Sequence, residues 1–442
     1  MGKPAIPNLH DLTAATEIPP LLLQRTESDL SSFIDGVRPI IEAVRREGDG
    51  ALLRFARQFD HVEAPLVELR TEEAEFAEAL RDIAPPVRAA IEYAIGNIRR
   101  FHEAQKPEEM WMAEIRPGAF AGERFRPIDS VACYVPRGKG SFPSVVMMTT
   151  IPAVVAGVPR IVIITPPGPD GKVDAGTLVA ARLVGVREIY KCGGAQGIAA
   201  VAYGTQTVPR CAKVVGPGSP WVVAAKRLLA GEIDPGIPAG PSECIVLADE
   251  RANGELAALD LIIESEHGPD SSAYLVTPSP AVAQAARAAL PRYWSEMESG
   301  RADSSQAVLC GPHGGIVLTR DFEAAIDFVN AYAPEHLEIL AAEPMAVLGQ
   351  IRHAGEILLG ERTPATLGNF VLGPNAVLPT GGAARTISPL SVFDFMKRSS
   401  IGYVSEAAYG ELASHARELA RYEGFDGHAR AIGEPRRRIL NK

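Results

Sequence analysis

The sequence predicts an α/β fold built on parallel β-sheets. From Ser130 onwards, short apolar runs alternate with helical stretches of roughly a dozen residues, which is the pattern of βαβ units. Several of these runs end in turns rich in glycine and proline, such as 166–168 and 216–218. Ligands in such folds bind outside the carboxyl ends of the strands, where helix N-termini favour anionic groups.

The segment before Ser130 has a different pattern. Residues 27–115 are predicted to be helical, because apolar residues from Leu30 to Val44 recur at spacings of three and four. A second helical stretch is expected from Ala74 to Gln105. This part of the chain offers packing surface and little chemistry.

The alternating elements fall into two blocks. The first has predicted strands at 130–135, 160–165, 188–192 and 213–215, with helices at 144–157, 175–184, from 196, and at 221–229. The second has predicted strands at 244–248, 273–276 and 315–318, with helices at 281–289 and 322–332. From about Ser391 the chain is predicted to be helical again, most clearly over 406–421.

Composition narrows the classes of function. A chain of 442 residues is long enough for two or three domains, and its net charge of -10 argues against nucleic acid as the main partner. Its five cysteines form no CxxC pair, which favours a reducing compartment. The N-terminus lacks the apolar region of a signal peptide, and no run approaches the roughly 18 apolar residues of a membrane span. We therefore expect a cytoplasmic protein with no membrane partner.

The usual nucleotide-binding fingerprints are absent. Neither GxGxxG nor GxxxxGK[ST] occurs in the chain. The glycine- and proline-rich strand ends permit a nicotinamide cofactor, but they are equally typical of a doubly wound domain with ordinary tight turns.

Three clusters combine histidine with carboxylates. Glu264 and His267, at i and i+3, would share one helical face and could hold zinc or a neighbouring first-row metal, although such a pair is more often a surface salt bridge. Glu335 and His336 follow a predicted helix, where a histidine could take a proton from an alcohol and a carboxylate could activate water. The alternative without a catalytic role is a histidine at the end of a loop beside a solvated glutamate.

The third cluster lies near the C-terminus, from Glu423 to His428. By itself it also fits a helix C-cap at Gly424. The three clusters carry chemistry only if they converge in space, which spacing alone does not establish.

With these residues in view, the chain resembles the histidinol dehydrogenase family over roughly positions 30 to 435. The resemblance runs through many ordered blocks, among them CYVPRGKGSFPSVVMMTTIPAVVAGV, EIYKCGGAQGIAAVAYGT, VVGPGSPWVVAAKR, PAGPSECIVLADE, SEHGPDSS, NAYAPEHLEI, GPNAVLPTGGAART, LSVFDFMKR and EGFDGHAR.

This resemblance implies a homodimer in which each chain has two Rossmann-like, doubly wound parallel-sheet domains and small helical flanking segments. We expect an N-terminal arm over 1–28 and a discontinuous first α/β domain over 29–129 plus 243–385. The second Rossmann-like domain, on the cofactor side, is expected over 130–242. The helical C-terminal segment, 386–442, would be exchanged with the partner subunit.

The implied activity is a step of histidine biosynthesis, the NAD-dependent oxidation of L-histidinol to L-histidine through the aldehyde in two hydride transfers. By resemblance, His336 is the general base, Glu335 activates the water that attacks the aldehyde, and zinc holds the substrate. The implied zinc ligands are Glu264, His267, Asn369 and His428, the last supplied by the partner subunit. The implied NAD contacts are Tyr134, Gln196 and Ser219, and the implied substrate contacts are Ser242, Glu423, His336 and the four metal ligands.

The chain departs from the family pattern at the site. Position 264 is Glu where the family has Gln, and position 369 is Asn where it has Asp, so one carboxylate and one amide are kept but exchanged. Ser219 replaces an Asn and Ala376 replaces a His. A compensated exchange can still hold a metal, but altered polar contacts change which substrate is accepted.

Three functional hypotheses follow. The first is histidinol oxidation, and the second is the same chemistry on another small polar alcohol, such as an amino alcohol or a sulfonated or carboxylated diol. The third is a metal- or nucleotide-binding protein without catalysis. The paired Glu335 and His336 argue against the third, because a protein without catalysis has no need of an acid–base pair.

Overall fold

A computed structural model describes residues 6–25, 30–63, 68–137 and 140–440. The chain divides into two compact units. The larger comprises Met1–Lys106 and Ile128–Phe395, and the smaller comprises Pro107–Pro127 and Met396–Lys442.

The described residues form strands and helices with the following bounds. The strands are β1 (Leu9–Asp11), β2 (Met110–Arg116), β3 (Ala119–Pro127), β4 (Ser130–Tyr134), β5 (Arg160–Thr165), β6 (Glu188–Lys191), β7 (Lys213–Val215), β8 (Glu243–Ala248), β9 (Ser272–Thr277), β10 (Gly314–Leu318), β11 (His336–Leu340), β12 (Glu356–Leu359) and β13 (Met396–Val404). The α-helices are α1 (Ser31–Glu47), α2 (Asp49–Phe59), α3 (Glu73–Asp82), α4 (Pro85–Gln105), α5 (Pro143–Ala156), α6 (Ala175–Val184), α7 (Gly194–Tyr203), α8 (Pro220–Leu228), α9 (Gly254–Ser265), α10 (Pro280–Glu296), α11 (Ser299–Leu309), α12 (Phe322–Tyr332), α13 (Pro344–Leu348), α14 (Ala365–Phe370), α15 (Glu406–Tyr422), α16 (Asp426–Ala431) and α17 (Glu434–Leu440).

The larger unit contains two parallel sheets. One has six strands in the order β1-β10-β9-β8-β11-β12, and the other has four in the order β6-β5-β4-β7. In each sheet the chain moves outward from a central strand to one side and later continues on the other side. The reversal lies between β8 and β11 in the larger sheet and between β4 and β7 in the smaller one, so both sheets are doubly wound.

The amphipathic helix predicted near the N-terminus is α1. It buries Val37, Ile40, Ile41 and Val44 in one apolar core with residues of α2, of α7 and of the four-stranded sheet. The N-terminal helices therefore cover one face of the smaller sheet. Burial of this stripe, at roughly 25 cal/mol per Å² of apolar surface, stabilises the packing more than intrinsic helix propensity does.

The smaller unit is built on an antiparallel sheet. Its order is β13-β3-β2, and α15, α16 and α17 complete the unit. β2 is exposed along its whole length and β13 nearly so. Large apolar side chains among its exposed residues include Trp111, Ile115, Tyr403, Leu419, Tyr422 and Phe425.

The expected α/β fold class with parallel sheets is confirmed, and two segments predicted to be helical are not. Residues 110–115 belong to β2, and 396–404 form β13. Both strands expose most of their side chains, so they lack the apolar alternation by which a half-buried strand is recognised. Within the described residues, no helix combines the length and apolar character needed to cross a membrane.

Candidate active site

The largest group of sequence-predicted site residues meets in one cavity of the larger unit. The cavity has a volume of about 730 Å³. Its lining includes Tyr134, the last residue of β4, and Ser219, which follows the carboxyl end of β7. It also includes Ser242 and His336, which stand at the amino ends of β8 and β11. One side of the site is thus formed by carboxyl ends of strands in the four-stranded sheet. The other side is formed by amino ends of strands in the six-stranded sheet.

The four-stranded sheet contributes a crevice between β4 and β7, where its strand order reverses. Gly216, directly after β7, has a φ of 116° and lies so close to β4 that a Cβ there would be 2.2 Å from the carbonyl oxygen of Tyr134. Ser219 is the N-cap residue of α8, and its side chain makes no capping hydrogen bond. A reversal point that meets a helix N-terminus is suited to a nucleotide phosphate.

The third predicted cofactor contact lies elsewhere. Gln196 is buried in the first turn of α7 and is not among the described residues that line the cavity. Its position follows from the glycine-rich end of β6, because Gly194 adopts a φ of 58° and α7 begins there.

Glu264, His267 and Asn369 lie together on the larger-sheet side. Nδ2 of Asn369, on α14, donates to Oε1 of Glu264 at 2.7 Å, and Nδ1 of His267 lies 2.9 Å from Oε2. The predicted shared helical face is wrong, since α9 ends at Ser265 and His267 lies beyond it. The turn that follows, in which the His267 N–H donates to the Glu264 carbonyl at 3.3 Å, brings the two side chains together.

Glu264 is the buried centre of this group, with 1% of its side chain exposed. Burial opposes its ionisation, but His336, His267 and Asn369 together hold the pKa of this carboxyl below its usual range. Burial likewise opposes the charged form of His267, and Glu264 nevertheless raises the pKa of that imidazole. The pair is therefore held as a carboxylate beside an imidazole that gains a proton readily.

Glu335 lies in the turn from α12 into β11, and His336 is the first residue of β11. The turn is reached through Ala333, whose φ is 56°. Oε2 of Glu335 accepts the backbone N–H of Glu243 at 2.9 Å, which fixes the carboxylate at the amino end of β8. Nε2 of His336 lies 3.9 Å from Oε1 of Glu335 and 3.8 Å from Oε1 of Glu264, so it is directed toward the cavity.

These two side chains have strongly shifted acid–base properties. Burial raises the pKa of Glu335 to about 8, although the neighbouring His336 opposes the shift. Burial would lower the pKa of His336, but Glu264, Glu335 and Glu356 raise it to about 10. Shifted groups in a cavity are typical of catalytic sites.

Glu356 is a site residue that sequence reasoning missed. It is the first residue of β12 and the register partner of His336 on β11. Its Oε2 lies 3.0 Å from Nδ1 of His336. The available signal was a single acidic residue opening the apolar run EILL, an unusual position for a buried strand of a parallel sheet.

The remaining predicted site residues, Glu423 and His428, belong to the smaller unit. Glu423 caps the C-terminus of α15 and His428 lies in α16, with its ring 5.1 Å from that of Phe425. Both residues are exposed.

Glu264, His267 and Asn369 are the predicted zinc ligands that lie in the larger unit. In the part of the chain that the structure describes, no three His, Cys, Asp or Glu side chains are grouped as a metal site. Glu264 and His267 nevertheless place a carboxylate and an imidazole side by side, and Asn369 adds an amide oxygen donor. These donor types fit zinc, so the residues are chemically suitable and the predicted ligand set remains a prediction.

Comparison with known proteins places these residues in context. A family model described as histidinol dehydrogenase matches residues 23–436. The chain is 64% identical over 422 residues to a histidinol dehydrogenase homolog of Cereibacter sphaeroides, covering 95% of this chain and 96% of that protein. It is 49% identical over 413 residues to a histidinol dehydrogenase of Synechocystis sp., covering 93% and 95%. A crystal structure of histidinol dehydrogenase from Elizabethkingia anophelis superposes with a TM-score of 0.92 at 30% identity, covering 99% of each chain.

Proposed function

Because the chain belongs to the histidinol dehydrogenase family, we propose that it is an NAD-dependent oxidoreductase that acts on the CH–OH group of a small polar alcohol. L-Histidinol is the first candidate, oxidised to L-histidine through the aldehyde in two hydride transfers. The observation that carries the proposal is the position of His336, whose Nε2 faces the cavity beside Glu264 and Glu335.

His336 is the proposed general base. Its Nε2 would take the proton of the alcohol's hydroxyl group, a bound NAD would accept hydride from the carbon that carries this hydroxyl, and the product would be the aldehyde. Glu335 is the proposed activator of water in the second step, where a carboxylate beside the aldehyde accepts a proton from the attacking water. The second hydride then leaves the hydrated aldehyde, which yields the carboxylic acid.

The other predicted residues bind and orient. Tyr134 and Ser219 are proposed NAD contacts because they line the reversal-point crevice, and Gln196 is retained as a proposed contact from the resemblance. Ser242 and Glu423 are proposed substrate contacts. Glu264, His267, Asn369 and a second chain's His428 are the proposed zinc ligands. When bound, zinc would hold and orient the polar substrate.

A second candidate is the same reaction on a different alcohol, either an amino alcohol or a sulfonated or carboxylated diol. The observation that favours it is the pair formed by Glu264 and Asn369, in which the amide donates to the carboxylate in an arrangement opposite to the family pattern. Ala376 also lines the cavity where that pattern has a histidine, so one polar substrate contact is missing. Unpaired or missing polar contacts can alter an enzyme's discrimination between substrates by orders of magnitude.

We further propose that the active form is a homodimer with shared active sites. The large apolar side chains exposed on the smaller unit support this, since Ile115 is 64% and Tyr422 is 93% exposed. Exposed apolar surface of this kind marks interaction sites.

The test is NADH formation by the zinc-loaded protein with L-histidinol and a panel of amino alcohols and anionic diols. We expect turnover of one of these substrates, with a fall in kcat of about 10²-fold or more in His336→Gln because the base is removed. Because neighbouring carboxylates raise the pKa of His336, the neutral base accumulates as pH rises, and kcat/KM is expected to increase with pH.

The substrate that turns over separates the two candidates. Two NADH per L-histidinol would support the first, and activity only on a panel alcohol would support the second. Silence on every alcohol, or a His336→Gln variant as active as the parent, would contradict the proposed chemistry and favour a non-catalytic binding protein.

A further inference from the structure

We propose that Glu356 is a positioning residue, which holds the proton of neutral His336 on Nδ1 and so leaves the Nε2 lone pair facing the cavity. The inference rests on the proposed role of His336 as the base. Glu356 would set the tautomer of the His336 imidazole before any substrate binds.

The distances around the imidazole distinguish its two nitrogens. Nδ1 lies 3.0 Å from Oε2 of Glu356, which is hydrogen-bond distance. Nε2 lies 3.8 Å from Glu264 and 3.9 Å from Glu335, beyond that distance. A carboxylate only accepts, so Nδ1 must donate, and the one nitrogen free to take a proton is Nε2.

The sheet makes this arrangement rigid. His336 and Glu356 are register partners on the adjacent parallel strands β11 and β12, so their side chains leave neighbouring backbones on the same face. Both are buried, with 3% of the His336 side chain and 5% of the Glu356 side chain exposed. The imidazole is therefore oriented by a partner fixed in the backbone ladder.

The other oxygen of Glu356 is costly to bury. Within the described residues, Oε1 has no hydrogen-bond partner. Burying a carboxylate for a single hydrogen bond is unfavourable for folding. A purely structural position would be better filled by an apolar residue, whereas orientation of the base gives the carboxylate a function.

The fold also leaves space for this carboxylate. Gly368, in α14, packs so closely that a Cβ there would lie 2.6 Å from Oε1 and 2.9 Å from Oε2 of Glu356. An alanine at 368 must push the carboxylate aside, yet alanine is the better helix former. Gly368→Ala therefore displaces the carboxylate without removing it.

The first test compares kcat and KM of Glu356→Gln, Glu356→Leu and Gly368→Ala on the alcohol that the parent oxidises. In Glu356→Gln the amide can present its NH₂ to Nδ1 and favour the wrong tautomer, so we expect kcat to fall by about 10²- to 10⁴-fold, with KM changed less than about threefold. Gly368→Ala should lower kcat in the same way. Gly96→Ala, a helical glycine with open space around it, is the matched control and should keep the parent kcat.

A second measurement needs no substrate. In ¹⁵N-imidazole NMR recorded at a pH high enough for the ring to be neutral, with His336→Gln used to assign the resonance, His336 should carry its proton on Nδ1 in the parent. This preference should be lost in Glu356→Leu. If the parent carries the proton on Nε2, or if Glu356→Leu keeps it on Nδ1, the inference is wrong. If the tautomer changes as expected but no alcohol is oxidised, the positioning stands and the proposed reaction fails.

Discussion

At the scale of single residues, Glu264 and Asn369 define what is particular to this site. The amide of Asn369 donates a hydrogen bond to the carboxylate of Glu264. The other oxygen of this carboxylate lies 2.9 Å from Nδ1 of His267. Exchanging the two side-chain types would keep one donor and one acceptor but move the negative charge across the site. The charge would then lie on α14 and leave the end of α9 that faces His336.

A double-mutant cycle on this pair gives a residue-scale prediction. Asn369→Asp places two carboxylates at hydrogen-bond distance, and we expect it to lower the free energy of unfolding by about 1–3 kcal/mol. The double variant Glu264→Gln/Asn369→Asp should recover at least half of that loss, because it restores an amide–carboxylate pair. Urea unfolding of the four forms with a chelator present measures the coupling.

The pH dependence supplies the control for that cycle. Repulsion raises the folded-state pKa of one carboxyl in Asn369→Asp, so its proton is bound at low pH and must be lost as pH rises. The destabilisation should therefore be greater at about pH 8 than at about pH 5. A loss that is independent of pH, or a double variant no better than the single one, would argue against a paired arrangement.

Most of the site residues predicted from the sequence line the cavity, but the sequence could not show which of them contact each other. Glu264, His267, Glu335 and His336 are recognisable because histidine beside a carboxylate is a chemical signal in any chain. Asn369 and Ser242 carry no such signal and entered through family resemblance alone. Glu356 was missed because its meaning depends on the register between β11 and β12, which no local pattern contains.

At the scale of secondary-structure elements, the site depends on which strand ends it uses. Residues at the carboxyl ends of β4 and β7 line the cavity, and these are the strand ends at which parallel sheets bind ligands. The proposed catalytic pair lies instead at the amino end of β11, beside the amino end of β8. Alternating strands and helices predict parallel sheets. They do not predict which strand ends of one sheet face the other sheet, because that contact is a tertiary feature.

Gly216 gives the element-scale prediction. Its φ of 116° and the 2.2 Å approach of a Cβ to the Tyr134 carbonyl oxygen mean that Gly216→Ala must separate β4 from the turn after β7. We expect a loss of about 1–3 kcal/mol in unfolding free energy and weaker NAD binding, measured by chemical unfolding and by fluorescence titration. Gly231→Ala, with no atom within 4 Å of the added Cβ, is the matched control. NAD affinity equal to that of the parent would contradict the placement of the cofactor at this crevice.

At the scale of the whole molecule, the smaller unit is stabilised by few buried residues. Its sheet is largely exposed, and the buried apolar side chains among its described residues are Ala119, Ala408, Ala413 and Ala429. A unit with so little core gains stability from a partner surface. The proposed homodimer supplies one, and it would bring a second chain's His428 to the proposed site.

Mixed dimers test this whole-molecule proposal. Chains carrying His336→Gln and chains carrying His428→Ala are expected to be nearly inactive alone. Co-expressed, they should regain about one quarter of parent activity, because half of the dimers are mixed and half of the sites in those dimers combine two intact residues. If His428 served its own chain's site, every mixed site would keep one defect and no activity would return.

The use of opposite strand ends by the two sheets has a consequence for how such proteins diverge. The crevice at β4 and β7 and the cluster on α9, β11 and α14 are carried by different backbones, so each can change in sequence while the other is kept. Redox partner and substrate can then be inherited separately. Under the proposed function, replacements at positions such as 264, 369 and 376 would redirect the chain to another substrate without rebuilding the proposed nucleotide crevice, so one ancestral scaffold could give rise to enzymes of unrelated pathways.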